Sequence, residues 1–447
     1  MRSKLIKHFF LTSILLCTAL FLQAQDAQSL INKLDTTNRL LTQMPCNTGE
    51  GMLISNKAMN LFLANKTGTY LSEGNDLSLY KNSVVFNAAS GVLSINHNMY
   101  PDQNGDVSVK PFYTIGARSN AVNALISKLN NKAAVNDFGV TVKRTWIAKA
   151  KTFYNNCSSA KSQKQEMDAY RATLLFQLKA EIKQEAENFE NGLAKLQPAD
   201  MPGQNLDSVK MMMRKNFYQN LSDKYVRKFD EQQSETLINT NNYNLVATSW
   251  TSVYTYIPLM HERFIVAPGF TQNFKDEYSY PFELKINHTR FWESSKAGRF
   301  FLMLNANMSI NNAATAQLLN EISSDEYRLN GGIDAARLTT LGIGQAYIGN
   351  YRNFVTPSTK VQLVYIPPDW HLGLTFMAEK NYGIYNALNG KIAVPIVLID
   401  KKGDPAITFE SQVLFFDMTN TIQPSKKFGD KISVGVTVGI PFSKVIY

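Results

Sequence analysis

The chain has 447 residues, 44% of them hydrophobic and 18% charged, with a formal net charge of +10. This balance excludes wholesale disorder, and 24 Gly with 15 Pro exclude a collagen-like or low-complexity chain. Three cysteines cannot build a disulfide-dense scaffold. A large folded protein remains, of one big domain or two ordinary ones.

The first eight residues carry Arg2, Lys4 and Lys7 with no acid, and Phe9 to Leu22 is apolar and uncharged. With Ala24 as a small residue at the cleavage point, these are the parts of a secretory signal peptide over residues 1–24. The apolar stretch is shorter than the roughly 20 residues of a spanning helix. Leu16 stands before Cys17 where a lipid-attachment motif wants Gly or Ala, so a lipid anchor is not expected. No later apolar run is long enough to span as a helix, and any membrane crossing must therefore use strands. Export, and the lack of a Lys/Arg block interleaved with aromatics, argue against nucleic acid as a partner. The basic balance points instead to anionic membrane surfaces or polyanionic glycans.

Residues 25–76 read as a polar, partly helical lead-in, with Leu30, Ile31, Leu34, Leu40 and Leu41 on a loose amphipathic pattern that breaks at Pro45. From about residue 77 the period becomes two. In Val107–Arg118 the odd positions are mostly apolar and oppose Ser108, Lys110, Thr114 and Arg118. In Phe300–Ile310 the even positions are apolar, against Asn305, Asn307 and Ser309. In Ile432–Phe442 the even positions are all apolar, against Ser433, Gly435, Thr437, Gly439 and Pro441. Such alternation over about ten residues predicts strands with one apolar face.

Further strands are predicted at 84–99, 139–153, 243–257, 281–293, 340–355, 359–367, 370–380, 391–399 and 406–418. The total is about twelve. Asn104-Gly105, Asn389-Gly390 and Lys402-Gly403-Asp404 suit tight hairpin turns. The run Asp102–Asp106 reads as a turn as well, because it lacks the later Gly and the Glu of a calcium loop.

Between 156 and 240 the period switches to three and four. Met167, Tyr170, Leu174, Leu178, Ile182, Phe189 and Leu193 precede a Pro/Gly break at 197–203, and Leu206, Val209, Met213, Phe217, Leu221, Tyr225 and Phe229 follow it. This predicts an α-helical hairpin. Met211-Met212-Met213 makes it a candidate surface for a protein partner, although packing of the two helices on each other also explains these residues.

Strands of this length exceed the soluble average of about 5–6 residues and suit tilted membrane strands of about 9–11. Residues 431–447, KISVGVTVGIPFSKVIY, form an amphipathic strand pattern closing on the aromatic Tyr447. Here the chain resembles Gram-negative outer-membrane β-barrel proteins, over residues 77–155 and 243–447. The resemblance is one of pattern and not of a family motif. It implies a mainly β fold: an antiparallel outer-membrane barrel of about 12 strands with an inserted α-helical hairpin. The parts are the signal peptide (1–24), the lead-in (25–76), the first part of the barrel (77–155), the helical insertion (156–240) and the second part (241–447). Outer-membrane lipids become the expected surroundings, and the oligomeric state stays open. Against the barrel stand KIAVPIVLI at 391–399, apolar on both faces, and Pro258, Pro367, Pro368, Pro395 and Pro441, each of which removes a ladder donor.

Catalytic patterns are not found. His261 and His288 belong to no H-E-x-x-H, no cysteine pair has metal-ligand spacing, and there is no G-x-S-x-G or phosphate-binding loop. No enzyme activity, cofactor or metal is expected. The candidate functional residues are cations on the polar strand faces, namely Lys110, Arg118, Lys143, Lys149 and Lys151, which would line the lumen and favour anions if they point inward. The alternative is that they reach to a membrane rim. Passive transport of small solutes, or a structural or binding platform, is the expected role. A secreted or periplasmic soluble β-rich binding protein is the alternative. Base rates for such barrels put long insertions outside the cell, so the hairpin is expected on the surface, opposite the periplasmic start of the first strand. Cys46 and Cys157 are then expected to stay unpaired.

Overall fold

The computed structural model describes residues 26–44, 49–67, 82–88, 92–99, 111–120, 138–155, 162–197, 205–323, 346–368, 370–399, 405–422, 424 and 427–442. The proposed signal peptide, Cys46, Cys157, Lys110, the run Asp102–Asp106 and the Lys402–Asp404 turn lie outside these residues. The chain divides into two compact units, one of Met1–Ala58 with Tyr154–Asn242 and one of Met59–Phe153 with Tyr243–Tyr447.

The first unit is helical. It holds α1 (Ala27–Thr42), a two-residue strand β1 (Glu50–Gly51), the start of α2 (Asn56–Thr67), α3 (Gln163–Ala194) and α4 (Leu206–Thr240). Side-chain caps begin the helices: Asp26 accepts from the Ser29 amide, Ser162 from Gln165, and Asn205 from Asp207 and Ser208. The left-handed Asn241 ends α4. Leu30, Ile31 and Leu34 of α1 pack with Leu174, Leu178 and Ile182 of α3 and Leu221, Tyr225 and Phe229 of α4. The lead-in thus adds a third helix to the expected hairpin. Met211 and Met212 remain exposed.

Salt links from α3 to α4 flank that core, Glu190 to Arg214, Glu185 to Lys224 and Glu181 to Lys228. Hydrogen bonds from Lys224 and Arg214 hold the Glu185 and Glu190 carboxyls below their ordinary values. Burial, with the neighbouring Glu190, pushes the Tyr218 hydroxyl up to about 12. Arg171 is fully buried and donates to Asp168 and the Leu53 carbonyl. Burial pulls its pKa down and Asp168 opposes that pull.

The second unit is built on strands. β2 (Asn82–Asn87), β3 (Val92–Met99), β4 (Phe112–Asn120) and β5 (Phe138–Ile147) come first, followed by the short β6 (Lys151–Phe153). After the helical insertion come β7 (Leu245–Pro258), β8 (Glu262–Ala267), β9 (Lys275–Ser279), β10 (Glu283–Ser294) and β11 (Gly298–Asn312). The rest are β12 (Asn320–Ile322), β13 (Ala346–Ile348), β14 (Asn353–Ile366), β15 (Leu374–Asn381), β16 (Leu388–Ile399), β17 (Pro405–Phe415) and β18 (Ile432–Phe442).

Twelve of these, β2–β5, β7, β10, β11 and β14–β18, pair antiparallel in a closed ring. The ring shuts where β18 meets β2 (Phe442↔Asn82) and where β5 meets β7 (Ile147↔Trp250). β12, β13, β8 and β9 form a separate four-stranded sheet. The expected mainly-β, twelve-stranded barrel with an inserted helical segment is therefore present.

The register defines two rims. Asn82, Ile147, Leu245, Ser294 and Phe442 lie at the terminal rim, where the first barrel strand begins and the last one ends. Asn87, Phe138, Pro258 and Glu283 mark the distal rim. Four strands precede the helical insertion, so the chain has returned to the terminal rim when it leaves the barrel. This corrects the expectation that the insertion and the start of the first strand lie on opposite rims, since an even strand number returns the chain to its starting side. The segments 259–282 and 313–352, which carry the small sheet, leave from the distal rim.

The number twelve conceals two compensating misreadings. Residues 84–99 hold two strands, β2 and β3, paired through Asn87↔Val92. The predicted strand at 340–355 contributes no barrel strand of its own: its described part holds β13 and only the opening residues of β14. Asn389-Gly390 is not a turn but pairs inside β16 with Glu379 and Ala378. The turn falls at 382–387, where Gly383 takes a positive φ of 82°. Pro395 also has a reason. Its carbonyl accepts from the Gly373 amide, so the donor it lacks would face β15, and regular pairing with β15 has already ended at Thr375↔Ala393.

Candidate functional site

The barrel is lined by polar groups and coated by apolar ones. Along β11, Phe301, Met303 and Asn305 are buried inward, whereas Leu304 and Met308 are exposed outward. Along β18, Ile432, Val434, Val436, Ile440 and Phe442 are exposed and Thr437 is buried. Among the inward groups are Asn87, Asn96, Asn98, Thr114, Thr141, Thr289, Ser358, Thr408 and Gln412, all under 5% exposed. This is the reverse of a soluble core, and some of the inner groups hydrogen-bond one another. Thr114 donates to Asn98 at 2.6 Å, and the Gln412 amide donates to Asn87 at 3.2 Å.

One inner wall, across β4, β5, β7 and β10, concentrates charge. Arg118 pairs with Glu283 at 2.9 Å and lies 4.8 Å from the Tyr256 ring centre. Lys285 reaches Glu283 at 3.4 Å and lies over Tyr254. Gly139 makes room here: a Cβ on it would meet the Tyr256 ring at 2.5 Å. Lys143 is buried on the same wall, register partner of Tyr254. On the opposite wall Lys391 and Glu410, both almost fully buried, pair at 2.6 Å.

A third cluster lies at the terminal rim. The later part of α2, from Met59 onward, belongs to the barrel unit, with Phe62 and Leu63 buried. Phe62 meets Tyr243 edge-on at 5.4 Å, and Lys66 pairs with the inward Glu293 at 3.1 Å. Arg299 approaches Glu293 at 3.5 Å and donates to the Lys66 carbonyl. Behind them Trp250, Phe291, Phe301, Val364 and Ile366 form a dry inner layer, each at most 1% exposed.

Of the cations singled out from the sequence, Arg118 and Lys143 share one inner wall. Lys149 is exposed in the irregular stretch after β5, and Lys151 is exposed on β6, beyond the barrel strand, because alternation stops at residues 148–150. Glu283, Lys285, Lys391, Glu410 and Glu293 were missed. They stand at alternate positions of predicted strands, so the period already carried the signal for their inward face. Apart from Lys285 with Glu283, two positions apart on one strand, their pairing depends on registers that no local pattern states. His288 faces outward and hydrogen-bonds Thr251 at 2.9 Å. Among the described residues no three His, Cys, Asp or Glu side chains gather closely enough to hold a metal ion, and no helix is long and apolar enough to cross a membrane.

The chain matches no protein-family model and no curated protein.

Proposed function

We propose that this chain is an outer-membrane β-barrel protein that serves as a platform, with the terminal rim of its barrel on the periplasmic side. The observation that carries the membrane reading is the reversed burial: exposed apolar side chains coat the closed wall while polar groups fill its inside. The outward apolar positions of β11 run from Phe300 to Ile310. Ten residue steps of about 3.4 Å, tilted about 40°, give a band of about 26 Å, close to the apolar band of such barrels.

Orientation follows from the loops. The long segments that carry the small sheet leave from the distal rim, which suits the outside, and the terminal rim then faces the periplasm. The chain leaves for the helical insertion, and returns from it, at this terminal rim.

Platform is preferred to pore because of the terminal rim, where Lys66 of α2 pairs with the inward Glu293 and the buried apolar layer around Trp250 and Phe291 fills the inside. Passive transport of small solutes is the second reading, favoured by the polar inner wall. Arg118 and Lys285 share Glu283, which offsets the anion preference expected of a bare cationic lumen.

Cell fractionation and heat-modifiable gel migration test the membrane reading. The expected result is a membrane-bound chain that migrates anomalously until boiled, and a chain wholly soluble in periplasm or medium would overturn it. Planar-bilayer recording then separates platform from pore. Silence is expected, and steady channels would favour transport.

A further inference from the structure

The outward face is apolar around most of the ring, but polar groups collect along one seam, β5–β7–β10, toward the terminal rim. Arg144 and Arg290 are both exposed there. Arg144 lies 5.2 Å from the ring centre of Tyr113 and 5.0 Å from that of Trp146, and Arg290 lies 5.0 Å from Trp292. Neither arginine has a carboxylate partner among the described residues. An arginine facing hydrocarbon is costly at mid-bilayer and nearly free at the interface, so these two fix the level of the lipid headgroups. A guanidinium stacked on a ring keeps its in-plane N–H donors directed past the ring edge, in the fork that matches a phosphate. Trp and Tyr flank it with amphipathic rings suited to the same level.

We propose that Arg144 and Arg290, each held on its aromatic partner, bind the headgroup phosphate of an anionic phospholipid in the leaflet at the terminal rim. The inference rests on the membrane reading above. The expected local enrichment of anionic lipid is roughly five-fold per arginine. The general positive charge of the chain predicts a diffuse attraction that two substitutions would scarcely change. The site predicts one that they remove.

Trp146 and Trp292 sit beside the two arginines, so the experiment can read their fluorescence. The full chain is reconstituted in phosphatidylcholine vesicles containing phosphatidylglycerol, with bromine on the acyl chains of one lipid or the other, and flotation is checked first. At equal mole fraction, brominated phosphatidylglycerol should quench more strongly than brominated phosphatidylcholine. The preference should disappear in Arg144→Gln/Arg290→Gln, whose folding is checked by heat-modifiable migration. Equal quenching by the two lipids in the unmodified chain would overturn the site while leaving the barrel in its membrane, and this comparison needs no variant. A preference that survives the double substitution would also overturn it. Failure to float would overturn the membrane reading itself.

Discussion

The two units of this chain obey opposite burial rules. In the helical unit Leu174, Ile182 and Phe229 are inside and the Glu–Lys and Glu–Arg links are outside. In the barrel Asn98, Thr289 and the Lys391–Glu410 pair are inside, and Val434, Met308 and Phe376 are outside. The backbone chemistry is the same, so the difference lies in what each surface is built to face. Water rewards the first arrangement through the hydrophobic effect. On the proposed membrane reading, hydrocarbon would remove that reward from the outer wall and leave the inner polar groups to pair within the protein. In this barrel hydrogen bonds and ion pairs among side chains hold much of the inside, beside the apolar layer around Trp250 and Phe291.

The comparison breaks most sharply at the inner ion pair. Lys391→Met alone removes the cation that pairs with the fully buried Glu410 at 2.6 Å, and should cost about 3–5 kcal/mol. Lys391→Met/Glu410→Leu should recover most of that loss, as read from urea unfolding in detergent. In the helical unit the matching weakness is apolar: Phe229→Ala should cost about 3–5 kcal/mol by opening a cavity, followed by helical circular dichroism. Exchanging the logic, by removing a charge from the helical surface or an outward valine from the barrel, should do far less.

Outward charge gives the next effect. Leu304→Lys, at the middle of the apolar band of β11, should destabilise the barrel in bilayers by about 2–4 kcal/mol. The same lysine at exposed Met211 should change stability by no more than about 0.5 kcal/mol.

How much of this was legible depended on the range of the signal. Period two in Phe300–Ile310 and Ile432–Phe442 gave both strands and their outward faces correctly, because each residue's side is set by its immediate neighbours. Residues 84–99 hid the break between β2 and β3 because Ala88-Ala89-Ser90-Gly91 lacks the Asn-Gly or Asp-Gly signature. Asn389-Gly390 carried that signature inside a strand whose neighbours on both sides imposed extended pairing. The three-residue β13 pairs in parallel with β8, about eighty positions earlier in the chain, and no local period announces such a strand. Arg118 was visible as an inward cation, but its partner Glu283 is 165 positions away and is set by the ring closure of β5 on β7. The rim at which the chain leaves the barrel for the helical insertion followed from strand parity, which a merged pair of strands conceals.

Acid gives the smallest expected effect. Glu185 and Glu190 have folded pKa values below the ordinary carboxylate value of about 4.3. The stability they lend is therefore complete above that value and is lost as pH falls through the lower folded values. Both ion pairs are well exposed, so the loss should be slight. Helical melting should fall modestly between pH 5 and about 3, and less in Glu185→Gln/Glu190→Gln.

The most direct test of the reversed barrel is a nitroxide scan along β11 in vesicles, in a chain whose cysteines are replaced by serine. The account predicts that labels at Leu304, Ala306 and Met308 relax with lipid-soluble oxygen and are shielded from an aqueous nickel reagent, while Met303, Asn305 and Asn307 lack the oxygen signal. A label at Met211 should respond to nickel. Even-numbered β11 positions that answer to nickel as Met211 does would contradict the account and make the barrel a water-facing one.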